Sequence, residues 1–328
     1  MILGIDTSCY TTSIALISET GDLCADKRIM LQVKPGEKGL QQSAAVFQHL
    51  QNLPQVLEGL RTEPLHAITV SVKPRPVEGS YLPVFKVGAS FGEAAAKLLK
   101  IPLITTSHQE GHIRAGLFGG TGAQTTFNAE KPFLAWHLSG GTTELLLVRP
   151  LSRELAREFP GYHIEKIGGS SDLQVGQFID RVGVNLGLKF PAGPALEELA
   201  LASDTEKMLS ISHQGLNLSF SGPAAAAERA VNSGCSGPDL ARQVFNCICK
   251  GLLQVSLLAI EQYQINSILM AGGVASSRII RQRFAAEGEK YGVRFEFGFK
   301  EFSGDNAVGV ALIGYDHLFG GGGKGKDS

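Results

Sequence analysis

Hydrophobic and polar positions along this chain fall into two rhythms: short apolar runs bounded by small polar residues, and longer stretches of helical period. The opening segment, Ile2 to Ser18, reads ILGIDTSCYTTSIALIS, an apolar run, a polar turn and a second β-rich run, which is the pattern of a hairpin. Phe133 to Val148, FLAWHLSGGTTELLLV, repeats that design at an offset of 131 (133 minus 2). Laid over each other, the segments share Leu3 and Leu134, Ser8 and Ser139, Thr11 and Thr142, Thr12 and Thr143, and Leu16 and Leu147, five identities in sixteen positions. A duplication of this kind implies two similar lobes, each opening on a hairpin, with both turns directed into one cleft. Two unrelated hairpins is the plainer alternative, because Ser, Thr and Gly dominate turns in any case.

Between the hairpins, strand-like runs at Ala67 to Val72 and Pro102 to Thr105 alternate with helical stretches at Gln41 to Leu60 and Val87 to Leu99. Such alternation predicts an open α/β sheet. Beyond the second hairpin the pattern predicts helices around Val175 to Leu186 and from Leu240 to Gln262, a strand at Ser267 to Ala271 and a helix from Ser276. A final helix, Asn306 to Leu318, is expected to return to the first lobe. The expected division is an N-terminal lobe over 1–128, a C-terminal lobe over 129–318 and a flexible glycine-rich tail over 319–328.

Composition narrows the class. A chain of 328 residues, 43% of them hydrophobic, can bury one large or two ordinary cores. Thirty Lys and Arg against 31 Asp and Glu leave no global field to draw the protein onto nucleic acid or an anionic membrane. Any RNA contact has to come from a local patch, for which Lys73, Arg75, Lys86 and Arg114 are the candidates. The five cysteines (Cys9, Cys24, Cys235, Cys247, Cys249) are scattered and lack paired C-x-x-C spacing, which fits a reducing compartment. With no basic leader before ILGID and no apolar run of membrane-spanning length, the expected location is the cytoplasm, with no membrane partner.

The sharpest local motif is Ser107-His108-Gln109-Glu110-Gly111-His112. A spacing of four puts His108 and His112 on one helix face, where both imidazoles reach one cation, and a third ligand has to come from elsewhere. The zinc-protease motif H-E-x-x-H would need an acid directly after the first His, and Gln109 stands there, so proteolysis is disfavoured. Ser303-Gly304-Asp305-Asn306 precedes the last helix; Asp305 is read either as an N-cap or as the residue that completes a metal site.

Two glycine turns follow strands. Leu138-Ser139-Gly140-Gly141 can wrap an anion with backbone N–H groups, in company with the similar turn from Asp6 to Thr12. Ala271-Gly272-Gly273-Val274-Ala275-Ser276-Ser277 runs a buried-type strand into a helix start. Asp180, Gly193 (in Pro191-Ala192-Gly193-Pro194) and Glu197 form a further group whose carboxylates suit ribose hydroxyls, or are simply solvated helix charges.

Taken in order, ILGIDTSC, SHQEGH, LSGG, the Asp180 helix with FPAGP, LSFSG (Leu218 to Gly222), AGGVASS and SGDNA resemble the TsaD family of the actin-like ATPase superfamily, from Met1 to about Leu318. The resemblance implies an α/β fold of two actin-like, ribonuclease H-like lobes with a nucleotide and metal cleft between them. It also implies one divalent metal, Fe²⁺ or Zn²⁺, on His108, His112 and Asp305, and a nucleotide site made by His137, Leu138, Ser139, Gly140, Gly141, Asp180, Gly193, Glu197, Gly273 and Ser277. The activity implied is transfer of a threonylcarbamoyl group from ATP-derived threonylcarbamoyl-adenylate to N6 of the adenosine adjacent to the tRNA anticodon. A smaller actin-like TsaB-type partner and a TsaE-type ATPase are implied with it. The chain departs from the family pattern at Tyr10 and Thr11, where the family has an acidic pair, at Ser277, where it has Asn, and at Thr142, Pro223 and Ala224. Those departures define the alternative, a divergent paralogue with another acceptor or a non-catalytic scaffold. A sugar kinase shares the fold, but such enzymes hold Mg²⁺ through water and carboxylates, which the histidine pair does not suit.

Overall fold

A computed structural model describes residues 1–8, 10–33, 40–60, 64–118, 131–151, 155 and 159–319. Cys9, the expected boundary at 128/129 and the tail from Gly320 onward lie outside the described residues. The chain divides into two compact units, one of Met1–Lys131, Arg149–His163 and Gly298–Ser328, the other of Pro132–Val148 and Ile164–Phe297.

In the first unit, β1 (Ile2–Asp6), β2 (Thr11–Ile17), β3 (Leu23–Met30), β4 (Ala67–Lys73) and β5 (Leu103–Ser107) form a sheet of order β3-β2-β1-β4-β5. β1 pairs antiparallel with β2 and parallel with β4, and β5 runs parallel to β4. Successive residues of β1 serve opposite faces of this sheet, as a period of two requires. Leu3 and Ile5, with Ile14, Leu16, Ile68 and Val70, pack under α1 (Gln42–Leu57) and α2 (Phe85–Leu99) through Leu53, Val56, Val87 and Ala96. Ile2, with Ala15, Ile17, Ala67 and Ile104, packs against Val308, Ala311 and Leu312 of the last helix, Val308–Phe319. Both faces are therefore covered, and β1 is buried throughout. Phe319, expected in the tail, is the last residue of that helix and packs on Tyr315, ring centroids 5.5 Å apart.

The second unit repeats the plan. β6 (Phe133–Leu138) and β7 (Thr143–Pro150) form an antiparallel hairpin, followed by β8 (Tyr162–Ser170), and β11 (Ser267–Ala271) and β12 (Arg294–Phe297) lie parallel beyond β6. The order β8-β7-β6-β11-β12 matches that of the first sheet, with β10 (Asn217–Ser219) and β9 (Ser212–Gln214) added outside β8. The leucines shared in sequence are cross-strand partners in both hairpins, Leu3 with Leu16 and Leu134 with Leu147. Duplication is thus the better of the two readings of the hairpins.

Around this sheet lie α4 (Val175–Asn185), α5 (Gly193–Leu201), α6 (Ser221–Asn232), α7 (Gly237–Tyr263) and α8 (Arg278–Tyr291). The Val308–Phe319 helix of the first unit is α9. By length and composition α7 could cross a bilayer, but Asp239, Arg242, Lys250 and Glu261 interrupt it, so its unbroken apolar run falls short of spanning length. Its buried face, from Leu240 through Phe245 and Leu252 to Ala259, is part of the second unit's core, and Ser256 accepts the indole N–H of fully buried Trp136 at 2.9 Å.

Candidate metal centre and nucleotide site

The metal candidate is built by the join of β5 to α3 (His108–Gly116). Ser107 and Glu110 make a reciprocal capping box, in which Ser107 Oγ accepts the Glu110 N–H at 3.2 Å and Glu110 Oε2 accepts the Ser107 N–H at 2.9 Å. This starts the helix at His108 and sets His108 and His112 one turn apart. Gly111 and Gly309 let α3 and α9 approach closely, since a Cβ on Gly309 would run into the Gly111 carbonyl. At the start of α9, Asn306 Oδ1 accepts the Val308 N–H at 2.9 Å, and its amide donates to Phe302 O and Gly304 O, each at 2.8 Å. Asn306 therefore does the capping that Asp305 was a candidate for, and Asp305 projects to the histidines.

Three donor atoms converge. His108 Nε2 and His112 Nε2 are 3.0 Å apart, and Asp305 Oδ1 lies 3.5 Å from the first and 3.4 Å from the second. A first-row metal bonded at about 2.1 Å to ligands about 90–115° apart produces a triangle of these edges. Two imidazoles and one carboxylate are also the donor set of borderline divalent metals such as iron and zinc. The residues fit the group. Burial disfavours a charge on His108, but Asp6 and Asp305 outweigh it and push its pKa up to about 10. Burial and the neighbouring His108 charge push His112 down. Burial works against a charge on Asp305, yet the two imidazoles hold it well below the usual carboxylate range.

Asp6, fully buried at the end of β1, joins this cluster, its Oδ2 lying 2.9 Å from His108 Nδ1. In sequence it stands only at the start of a turn similar to the second glycine turn. That comparison is corrected: around Asp6 the first turn gathers hydroxyls and a carboxylate, not an anion cradle. Glu110 is no general base, because its carboxylate accepts Thr106 Oγ1, Ser107 N, Ser107 Oγ and Tyr162 N at 2.7–3.2 Å. Arg114 is withdrawn as an RNA contact, since it is clamped on Asp316 by bonds of 2.6 and 3.2 Å.

The ten nucleotide candidates all belong to the second unit. His137 to Gly141 end β6 and turn into β7, the turn closed by Ser139 N–H donating to Thr142 O at 2.8 Å. β11 runs parallel beside β6 with Ala271 opposite His137, so Gly273 follows the neighbouring strand end. Parallel strand ends of this kind are where open α/β sheets bind ligands. Gly272, at φ +95°, rests against the Leu138 carbonyl. Gly140, Gly141 and Gly273 differ: none has positive φ, and a Cβ on any of them would meet nothing within 4 Å.

The remaining candidates engage one another. Asp180 Oδ1 accepts the Ala192 N–H at 2.7 Å ahead of α5, which begins at Gly193. Burial pushes the Asp180 carboxyl up, against backbone donors at Ala192 and Gly193. Ser277 donates its hydroxyl to Glu197 and also caps α8, accepting the Ile280 N–H at 3.3 Å, while Glu197 accepts the Ile279 N–H at 3.2 Å.

The sequence profile of TsaD, tRNA N6-adenosine threonylcarbamoyltransferase, matches residues 43–312. The chain belongs to that family. TsaD relatives carrying the same description include those of Thermosipho africanus (28% identical, 96% of this chain and 93% of the relative), Archaeoglobus fulgidus (27%; 95% and 90%) and Granulibacter bethesdensis (30%; 97% and 88%). This TsaD-family chain is accordingly a transferase of tRNA modification, with tRNA as its substrate. Among solved structures it resembles full-length HypF in its phosphate- and nucleotide-bound form (TM-score 0.61, 13% identity, 97% of this chain and 46% of that one). It also resembles the Acidaminococcus fermentans (R)-2-hydroxyglutaryl-CoA dehydratase component A (TM-score 0.55, 14% identity, 96% and 97%). Those likenesses carry the fold alone.

Proposed function

We propose that this chain transfers threonylcarbamoyl from threonylcarbamoyl-adenylate to N6 of the adenosine adjacent to the tRNA anticodon, with an iron or zinc ion on His108, His112 and Asp305. The observation that carries the reading is the convergence of three ligand atoms, two of them from one buried helix turn. A bound divalent ion would supply Lewis-acid polarisation of a substrate oxygen. The chain's own contribution is positional. Backbone N–H groups at Gly140, Gly141 and Gly273 are assigned to the adenylate phosphate, where they favour the charge that builds up as AMP leaves. Asp180, Gly193, Glu197 and Ser277 are assigned to the nucleoside, with His137, Leu138 and Ser139 forming the rest of its wall.

A TsaB-type partner and a TsaE-type ATPase belong to the same reading. Phe47 and Leu50, one turn apart on α1, and Leu98 on α2 are exposed apolar side chains of the first unit, of the kind such a partner would cover. The proposed location is the cytoplasm. The paralogue reading has one observation in its favour, the commitment of the Ser277 hydroxyl to Glu197. Purified chain given iron or zinc, threonylcarbamoyl-adenylate and tRNA separates the two: modified adenosine in the tRNA is expected, and adenylate binding without any product would favour the paralogue.

A further inference from the structure

We infer that Asp6 is a positioning residue of the metal centre, holding His108 with its Nε2 lone pair toward the ion. The inference rests on the metal reading above and adds a residue that is not itself a ligand. Asp6 is fully buried, and each of its oxygens has a partner. Oδ1 accepts the Ser71 hydroxyl from β4, and Oδ2 accepts the Ser8 hydroxyl at 2.8 Å and faces His108 Nδ1 at 2.9 Å. The main-chain oxygen accepts Ser13 Oγ at 3.2 Å. Both carboxylate oxygens already accept serine hydroxyls, so the hydrogen bond to the facing nitrogen is donated by His108 Nδ1. When a metal takes the place of the Nε2 proton, an imidazole still protonated at Nδ1 presents its lone pair at Nε2, the atom that meets His112 and Asp305. Carboxylate support of this kind fixes ring orientation and raises the ligand's basicity.

The location argues for a purpose beyond packing. Asp6 ends the central strand β1, and its two serine donors come from the following turn and from β4, so the carboxylate is fixed from both sides by a rigid sheet. A carboxylate retained only for packing would change stability when altered and leave the metal and the His108 tautomer alone.

The test uses the full chain and Zn²⁺ alone, with affinity read by competition against a chromophoric chelator and the histidine tautomers read by ¹⁵N NMR. Wild type is expected to bind one Zn²⁺ with His108 protonated at Nδ1. Asp6→Asn, which keeps shape and removes charge, should weaken Zn²⁺ about 10- to 100-fold, with the His108 Nδ1–H signal shifted or lost. Equal affinity and an unchanged signal in a folded Asp6→Asn protein would overturn the inference while leaving the metal site standing. A wild type that takes up no Zn²⁺ would overturn the site reading and the inference with it. Should Asp6→Asn not fold, Ser71→Ala is measured instead; loss of one net hydrogen bond to Asp6 should weaken Zn²⁺ by about 2- to 10-fold, and no change would count against the proposal.

Discussion

Gly140→Ala and Gly272→Ala are the same chemical change in adjacent turns, and the structure gives them opposite consequences. At 272 the backbone has φ +95°, and a Cβ would press on the Leu138 carbonyl. A positive φ with extended ψ (165°) is open essentially only to glycine and costs an L-residue about 1–3 kcal/mol, and overpacking against main chain adds about 1–3 kcal/mol. Gly272→Ala should therefore lose about 2–6 kcal/mol of stability in a urea titration. At 140 neither cost applies, because φ is not in that region and the Cβ meets open space. Removing a flexible glycine there should leave stability unchanged or raise it by up to about 1 kcal/mol.

What remains to explain Gly140 is a ligand that needs the backbone bare. A methyl group between phosphate and N–H would cost one charge-assisted hydrogen bond, about 1.5–3 kcal/mol, or roughly 10- to 150-fold in affinity. Isothermal titration with AMP is the assay, with Gly141→Ala and Gly273→Ala as companions. A stable Gly140→Ala protein that binds AMP as wild type does would refute the phosphate cradle.

Three further outcomes follow from the geometry. Asp305→Ala and His112→Phe should each abolish the metal retained after dialysis, read by elemental analysis, and lower tRNA modification by more than about 100-fold, since changes outside the ligand set already cost 10- to 100-fold. Glu110→Gln should destabilise the fold by about 1–3 kcal/mol through its lost charge-assisted bonds, yet leave Zn²⁺ affinity of the folded fraction within about threefold of wild type; a large affinity loss would return Glu110 to the chemistry. Asp172 gives the pH dependence: burial is the largest single influence and raises its pKa, but Ser219 Oγ and the N–H groups of Leu173, Phe220 and Ser221 together outweigh it and hold the carboxyl below the ordinary range. A folded pKa below the unfolded value contributes stability that is whole above about pH 4 and is lost as pH falls toward the folded value. Asp172→Asn should thus sit about 1–2 kcal/mol below wild type at pH 7, the worth of a helix cap, with the gap closing below about pH 4; a gap constant from pH 7 to 3 would contradict it.

Much of this was legible where one local rule governs. Hairpins, buried strands and long helices announce themselves by period, and the histidine pair by its spacing of four. What stayed hidden depended on distant partners. β3 and β8 carry half-buried, mixed residues without clean alternation, and only pairing to a hairpin defines them. The role of Asp305 turned on Asn306 taking over the helix start, a matter of side-chain direction. Asp6 was invisible as a histidine partner because 102 residues separate it from His108. Glu197 and Ser277 likewise meet across 80 residues, and neither position says alone that the hydroxyl is spoken for.

The duplication explains why one fold can hold both charges. At the offset of 131, Asp6 corresponds to His137; Asp6 is the last residue of its strand and His137 the last but one of its own, opposite Ser13 in the first hairpin and Glu144 in the second. Beyond that shared position the turns diverge in what they offer. The first supplies acceptors, a carboxylate steadied by Ser8 and Ser71, and such a turn can serve a cation through an imidazole but would repel a phosphate. The second replaces that chemistry with Gly140 and Gly141, whose backbone N–H groups no side chain obstructs and which so suit an anion. Exchanging the two turn sequences between the hairpins tests this division of labour. Because the zinc ligands themselves sit on α3 and before α9, the exchange should remove AMP binding outright and leave a weakened Zn²⁺ site. A chimera that keeps full Zn²⁺ affinity would mean that the ligands alone orient His108, and that Asp6 matters only to the sheet.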